Sequence, residues 1–291
     1  MIAPFLTLDE FEALRLAHGE RLIVADVRWY LDGRSGRDAH AAGHLPGAVF
    51  IDLDTVLADP PSSAEGRHPL PSPERFAAGM AAAGIGDDAL VVAYDDAGGV
   101  IAARLAWMLR SLGVDAAVLD GGVHAWVARH GTEQLEHGSN DASAASVPAV
   151  SFTARAWPAH LLVDADETGR LAASGEALVL DARTLDRYRG DAEPVDARPG
   201  HIPGALSLSC RDNVDDTGRL LAVDALRERL VAVGADRHPV VSYCGSGVTA
   251  CHTLLVLEHA GLPAGRLYPG SWSQWSADAR REAATGQQSS A

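Results

Sequence analysis

Residues 239–251 read PVVSYCGSGVTAC, and the predicted fold follows from the order of residues in this segment. Its first five residues form the apolar run of a short, buried β-strand. Gly245 and Gly247 then permit a tight turn, and a helix follows over residues 248–260 until Gly261 ends it. A buried strand that turns directly into a helix is typical of a parallel α/β sheet, and such turns form the edge of the sheet at which ligands bind.

The first half of the chain contains the same order of signals. Residues 90–94 read LVVAY and lead through Asp95 and a glycine-containing turn into a helical run over residues 100–112. When the two tyrosines that end these strands are aligned, Asp95 lies opposite Cys244. Self-similarity over such a long period indicates a duplicated domain.

Two further pairs of motifs occur earlier in each half. Residues 22–28 read LIVADVR and residues 177–183 read ALVLDAR, so each half has a buried strand that ends near an aspartate and an arginine. The motifs GHLPGA (43–48) and GHIPGA (200–205) follow. Because short apolar strands alternate with helices, we predict a parallel α/β sheet flanked by helices in each half.

The length of 291 residues fits two domains, since each would be large enough to bury its own core. We predict a first domain over residues 1–135, a linker over residues 136–150 and a second domain over residues 151–291. The linker segment is rich in Ser, Ala, Glu, Asn and Asp and has no apolar periodicity.

Composition excludes several classes of partner. The formal net charge is −15 and the pI is about 5.1, so nucleic acid and anionic membranes would both repel the protein. The sequence has no run approaching the ~20 apolar residues of a membrane span, and no secretory signal is visible. Three cysteines are an odd and sparse set that suits a reducing compartment, so we expect a cytoplasmic location.

Cys244 occupies the turn at which several backbone N–H groups and the positive end of a helix converge. These dipoles favour the thiolate over the thiol, and the thiolate is the form that attacks sulfur. An isolated cysteine after a buried strand is more often a small core residue, but the aspartate at the duplicate position is a poor core residue. We therefore favour a reactive Cys244, whereas Cys251 is expected to be a core residue and Cys210 has no visible catalytic context.

Residues 243–250 (YCGSGVTA) resemble the active-site loop of rhodanese-type sulfurtransferases, above all the 3-mercaptopyruvate branch. The resemblance covers nearly the whole chain, and the other matching segments are residues 26–30, 43–48, 66–71, 187–190, 200–205 and 270–275. It implies two tandem rhodanese-like domains, of which the first is catalytically silent because its loop has Asp95 where the second has Cys244.

By this resemblance, Cys244 would take sulfur from a small donor as a persulfide and pass it to an acceptor in a ping-pong reaction. The acceptor would be cyanide, a small thiol or a reduced protein such as thioredoxin, and no metal or organic cofactor would be needed. The loop residues Gly245, Gly247, Val248 and Thr249 would bind the negative sulfur through their backbone amides.

The resemblance also assigns arginines to the donor. Arg187 matches the family arginine that pairs with the carboxylate or sulfonate of the donor. The position of a second donor-binding arginine counts out to Asp196, so Arg198, two residues later, is the candidate for that role.

A proton relay is implied in the same way. Ser246 and His44 match a serine and a first-domain histidine of the mercaptopyruvate enzymes, with Asp38 as the nearest aspartate to orient the histidine. The alternative for His44 is structural, since His201 occupies the same place in the duplicate and both histidines would then brace a turn.

Three questions of function stay open. Gly245 and Ser246 are uncharged, whereas thiosulfate-preferring relatives have basic residues there, so 3-mercaptopyruvate is the favoured donor and thiosulfate the alternative. A cysteine-dependent phosphatase would need an arginine six residues after the cysteine, where this chain has Ala250. A non-catalytic rhodanese-like binding module is the remaining alternative, and the retained Cys244 argues against it.

Overall fold

The computed structural model describes residues 1–138 and 150–287, and it divides the chain into two compact units. Unit 1 comprises Met1–Asp59, Leu70–Trp157 and Val214–Leu220, and unit 2 comprises Pro60–Pro69, Pro158–Asn213 and Leu221–Ala291. Most of the segment 136–150, for which the sequence predicts a linker, lies outside the described residues.

Each unit includes a short segment from the opposite half of the sequence, whereas the sequence predicts contiguous domains. Hydrogen bonds within each unit explain this difference. The backbone N–H of Arg67 donates to Ser273 Oγ in unit 2 at 3.0 Å, and the backbone N–H of Leu220 donates to Asp120 Oδ1 in unit 1 at 2.6 Å. The short segments therefore satisfy their backbone groups in the unit to which they belong.

Unit 1 is built on a five-stranded parallel sheet with the order β1-β5-β4-β2-β3. Its strands are β1 Phe5–Leu6, β2 Leu22–Asp26, β3 Val49–Phe50, β4 Leu90–Tyr94 and β5 Asp115–Leu119. Its helices are α1 Leu8–His18, α2 Gly36–Ala42, α3 Pro73–Ala82, α4 Ala103–Ser111 and α5 Gly122–His130.

Unit 2 is built on a four-stranded parallel sheet with the order β7-β6-β8-β9. Its strands are β6 Leu178–Asp181, β7 Leu206–Ser207, β8 Val240–Tyr243 and β9 Arg266–Leu267. Its helices are α6 Ala165–Ser174, α7 Leu185–Arg189, α8 Val223–Ala232, α9 Ala250–His259 and α10 Ser271–Ala277. The prediction of a parallel α/β sheet with flanking helices is confirmed in both units.

The central strands β4 and β8 each pair with strands on both sides and carry the loops of interest at their carboxyl ends. All four residues of β8 are buried, as expected of a strand covered on both faces of a parallel sheet. The helix that follows it, α9, is buried over its first eight residues. No helix among the described residues is long and apolar enough to cross a bilayer.

The same buried ion pair fixes the chain after the first long strand of each unit. Arg28 pairs with Asp26 and also donates to the carbonyl of Gly43. In the same way, Arg183 pairs with Asp181 and donates to the carbonyl of Gly200. Burial opposes the charged forms, but the pairing prevails, so the pKa of Arg183 is raised and the pKa of Asp26 is lowered. This shared geometry shows that the sequence repeat is a structural repeat.

Candidate active site

The turn after β4 in unit 1 is an anion cradle that holds its own anion. The Asp95 carboxylate is buried and accepts four backbone N–H bonds, each at 2.8 Å, from Ala97 and Gly99 on one oxygen and from Ile101 and Ala102 on the other. Consecutive backbone N–H groups at a strand-to-helix turn suit a negative charge. In unit 1 the Asp95 side chain supplies that charge.

Cys244 occupies the equivalent turn after β8 in unit 2. Its Sγ accepts the backbone N–H of Gly247 at 3.1 Å. Gly247 has a φ of +77°, close to the +79° of its counterpart Gly98, and a Cβ at Gly247 would lie 2.5 Å from the carbonyl oxygen of Pro269. The turn therefore requires glycine at this position, both for the backbone conformation and for space.

The first turn of α10 holds the backbone of the cysteine loop. The Cys244 N–H donates to Ser271 Oγ at 3.1 Å, and the carbonyls of Cys244 and Gly245 accept the N–H groups of Trp272 and Ser273 at 2.9 and 2.8 Å. Ser271 adopts a φ of +52°, which is strained for a residue with a side chain. These hydrogen bonds fix the Cys244 and Gly245 carbonyls against the N-terminal turn of α10.

Val248 and Thr249 complete the turn into α9. Val248 is buried, and Thr249 is the residue that precedes the first turn of α9. Cys251 lies inside that helix and donates its thiol to the carbonyl of Gly247 at 3.3 Å. Cys210 is fully buried, and burial raises the pKa of its thiol to about 12. Neither environment activates a thiol as a nucleophile.

Ser246 in the cysteine loop contacts a histidine that the sequence analysis did not assign. His68 Nδ1 lies 2.7 Å from Ser246 Oγ, and both residues are buried in unit 2. His68 belongs to the segment 60–69, which the sequence predicts to be part of the first domain. The signal in the sequence is the motif GRHPLP at residues 66–71, in which a histidine precedes a proline in a segment with no helical or strand pattern.

The two predicted relay residues, His44 and Asp38, belong to unit 1. His44 is fully buried, its ring is stacked on His40 at 3.8 Å between centroids, and its Nδ1 lies 2.8 Å from the His40 carbonyl. His201 is stacked in the same way on Tyr188, with its Nδ1 2.7 Å from the Tyr188 carbonyl. Burial lowers the pKa of both His44 and His201. The geometry supports the structural alternative, in which both histidines brace a turn.

Asp38, the residue predicted to orient His44, lies at the start of α2. It is exposed in the first turn of α2, where its backbone N–H donates to Ser35 Oγ at 3.0 Å. Two other carboxylates contact histidines of this region: Asp26 Oδ2 lies 3.1 Å from His40 Nδ1, and Glu136 Oε2 lies 3.7 Å from His44 Nε2. Asp38 acts here on the helix terminus, where an acidic side chain is favourable.

Two arginines lie against the cysteine loop at Gly245. A Cβ built on Gly245 would be 3.1 Å from Arg67 Nη2 and 3.5 Å from Arg187 Nη1. The sequence predicts that Arg187 binds the donor, and it gives no such prediction for Arg67. The Asp196 carboxylate bridges the two guanidinium groups, at 2.6 Å from Arg67 Nη1 and 2.9 Å from Arg187 Nη2.

Arg198 is engaged elsewhere in unit 2. Its guanidinium donates to four backbone carbonyls at the end of α10 and just beyond it, those of Trp275, Ser276, Asp278 and Arg281, at 2.9 to 3.2 Å. Carbonyls at a helix C-terminus lack partners within the helix, and a cation satisfies them well. In the structure Arg198 therefore caps the end of α10.

The described residues contain no group of three or more histidine, cysteine or acidic side chains placed to hold a metal ion. All three cysteines are free thiols. The site consists of a cysteine in an anion cradle, a serine–histidine contact and two guanidinium groups, which are the elements of nucleophilic chemistry on an anionic substrate.

Comparison with known proteins gives the same picture over the whole chain. The family model described as "Rhodanese-like domain" matches residues 8–129 and 164–278. A Pseudomonas aeruginosa protein named "Probable 3-mercaptopyruvate sulfurtransferase" is 41% identical and aligns with 98% of this chain and 99% of its own length. An Arabidopsis thaliana protein named "Thiosulfate/3-mercaptopyruvate sulfurtransferase 2" is 35% identical over 87% of this chain and 78% of its own length.

A solved structure adds evidence on the fold. The 3-mercaptopyruvate sulfurtransferase from Leishmania major is 33% identical, and the match covers 96% of this chain and 75% of that protein with a TM-score of 0.79. Both halves of the sequence and the arrangement of their elements are thus shared with these relatives.

Proposed function

We infer the function of this chain from one premise, that it belongs to the rhodanese family, whose domain model matches both of its halves. It is an enzyme of the sulfurtransferase class. We propose that Cys244 carries sulfur as a persulfide from 3-mercaptopyruvate to a thiol acceptor or to cyanide. The reaction consists of two half-reactions on the same cysteine.

The observation that carries this proposal is the contrast between the two cradles. In Asp95 the charged oxygens are two bonds beyond Cβ, and in a cysteine persulfide the terminal sulfur is also two bonds beyond Cβ. The four amides that bind the Asp95 carboxylate therefore mark where a persulfide anion on Cys244 would be bound. The counterparts of the donors at 97, 99 and 101 are the N–H groups of Ser246, Val248 and Ala250, whereas the counterpart of the fourth, Cys251, donates its N–H to the Val248 carbonyl at 3.2 Å.

The first half-reaction forms the persulfide. The Cys244 thiolate attacks the sulfur of 3-mercaptopyruvate, the new S–S bond forms and the C–S bond breaks, leaving the enolate of pyruvate. That enolate takes up a proton to give pyruvate. We assign the delivery of this proton to Ser246 and His68, because Ser246 follows Cys244 by two residues in the loop and its hydroxyl contacts the His68 ring at 2.7 Å.

The second half-reaction returns the cysteine to its starting form. An acceptor thiolate attacks the terminal sulfur, the Cys244 S–S bond breaks, and the acceptor leaves with the extra sulfur while the Cys244 thiolate is regenerated. Cyanide would attack the terminal sulfur in the same way, and the product would be thiocyanate. We propose reduced thioredoxin or a small thiol as the acceptor and the cytoplasm as the setting, where such reduced thiols are available.

The donor is bound through its carboxylate. Arg187 offers a guanidinium beside the loop, and this planar fork matches a carboxylate in a bidentate pair. Thiosulfate is the alternative donor, since one relative carries both donors in its name. In that case sulfite would be the leaving group, and no enolate would need a proton.

Intact mass spectrometry after incubation with each donor tests the proposal. The wild-type chain should gain about 32 Da, the mass of one sulfur atom, and a thiol acceptor should remove it. Cys244→Ser should show no gain, while the matched control Cys251→Ser should gain sulfur as the wild type does. Sulfur found on Cys251 or Cys210 in place of Cys244, or no gain with either donor, would overturn the assignment.

A further inference from the structure

We propose that Asp196 is a specificity-determining residue which neutralises the paired guanidinium groups of Arg67 and Arg187 and so restricts the site to donors with a single negative charge. Arg67 is the second donor-binding cation of this site. The inference rests on the proposed function and adds the charge class of the substrate to it.

One buried carboxylate bridges both arginines. Asp196 Oδ1 accepts from Arg67 Nη1 at 2.6 Å, and Asp196 Oδ2 accepts from Arg187 Nη2 at 2.9 Å. The Asp196 side chain is 3% exposed, whereas the Arg67 and Arg187 side chains are 24% and 15% exposed. The carboxylate thus lies behind the two guanidinium groups, and they remain accessible.

Each arginine keeps N–H groups for a ligand. Arg67 Nη2 and Arg187 Nη1 are the atoms nearest to a Cβ on Gly245, and neither donates to an acceptor in the parts of the chain that the structure describes. Arg67 Nε is buried and likewise has no hydrogen-bond partner within residues 1–138 and 150–287. A planar anion beside Cys244 would satisfy these donors.

The surrounding charges balance before a donor enters. A second buried carboxylate, that of Glu193, is 2.7 Å from Arg187 Nη2 and 3.2 Å from Arg183 Nη1, and Arg183 is in turn paired with Asp181. Three guanidinium groups therefore face three carboxylates in this cluster. The N–H donors can bind an anion, but the cluster offers no net positive charge.

This balance discriminates between the two candidate donors. 3-Mercaptopyruvate brings one carboxylate charge, while thiosulfate brings two negative charges in a smaller volume. In a partly buried site the interaction between charges a few ångströms apart is strong, because screening by water is weak. A cluster without net charge therefore favours the monoanion, and removal of one carboxylate should admit the dianion.

The test measures kcat/KM for both donors in Asp196→Asn and in Arg67→Gln. D196N should raise the thiosulfate-to-mercaptopyruvate ratio of kcat/KM by about tenfold or more, and added salt should reduce that gain. R67Q should lower kcat/KM for both donors and lower it most for thiosulfate. Asp191→Asn is the matched control, since it removes an exposed carboxylate from the same segment and should leave the ratio unchanged.

Two results would overturn the inference while leaving the proposed function intact. The first is an equal change for both donors in D196N, which is the behaviour of a residue that only supports the local structure. The second is an R67Q enzyme with unchanged kcat/KM for both donors. Failure of the wild-type chain to form a persulfide at all would instead contradict the proposed function.

Discussion

Replacement of Asp95 by asparagine should destabilise unit 1 although no catalytic group is touched. The carboxylate accepts four N–H bonds at 2.8 Å and is 1% exposed. An asparagine oxygen can still accept two of them, but its NH₂ group then faces two N–H donors that it cannot bind. Leaving a buried donor unsatisfied costs about 1–3 kcal/mol, so the free energy of unfolding should fall by about 2–6 kcal/mol.

Native-state hydrogen exchange measures this loss where it occurs. A chain with two units need not unfold in one step, so the opening free energy is best obtained from amides of β4 and α4, which flank the cradle. Asp96→Asn is the matched control. Its side chain accepts a hydrogen bond from the Tyr30 hydroxyl at 2.6 Å, which an asparagine oxygen can still accept. If D95N costs no more than D96N, the cradle does not bind its anion as strongly as the geometry indicates.

Two further substitutions test the cysteine loop. Gly247→Ala should lower kcat/KM by about 100-fold or more, because a Cβ there meets the Pro269 carbonyl oxygen at 2.5 Å and displaces the turn. The control is Gly261→Ala, which has a φ of +65° but no contact closer than 3.9 Å and should leave kcat/KM unchanged. Equal effects of the two substitutions would contradict the steric argument. His68→Gln should lower kcat with 3-mercaptopyruvate by about 10- to 100-fold, which steady-state kinetics with both donors can measure. His44→Gln should lower the thermal stability and leave kcat unchanged. The reverse result would assign the proton relay to His44.

Much of the fold could be predicted from the sequence because the repeat is carried by long apolar runs. β4 and β8 end at Tyr94 and Tyr243, as the alignment of the two tyrosines requires. The strands β3 and β7 have only two residues each, which is too short to show a period of two, and the sequence does not predict them. They are set by pairing with neighbouring strands.

The cysteine loop could be predicted because its chemistry is local, and Arg187 beside it was predicted from the family resemblance, whereas Arg67 and His68 were not. His68 contacts Ser246 across 178 residues of sequence, and the GRHPLP motif marks the histidine without indicating which residue it contacts. Arg198 is close in sequence to the position expected of a donor-binding arginine, yet the carbonyls at the end of α10 bind it. An alignment identifies the residue at a given position, but tertiary packing determines which groups that residue binds.

The place of residues 60–69 in unit 2 has a consequence for biosynthesis. During synthesis this segment emerges from the ribosome long before the cysteine loop and α10, with which it packs. Until they are synthesised, it lacks these partners. An excised fragment covering residues 151–291 would keep the nucleophile but lack Arg67 and His68. A dissected second half should therefore transfer sulfur more slowly than the chain described here, and the surroundings of Cys244 are complete only after residues 60–69 and α10 have both been synthesised.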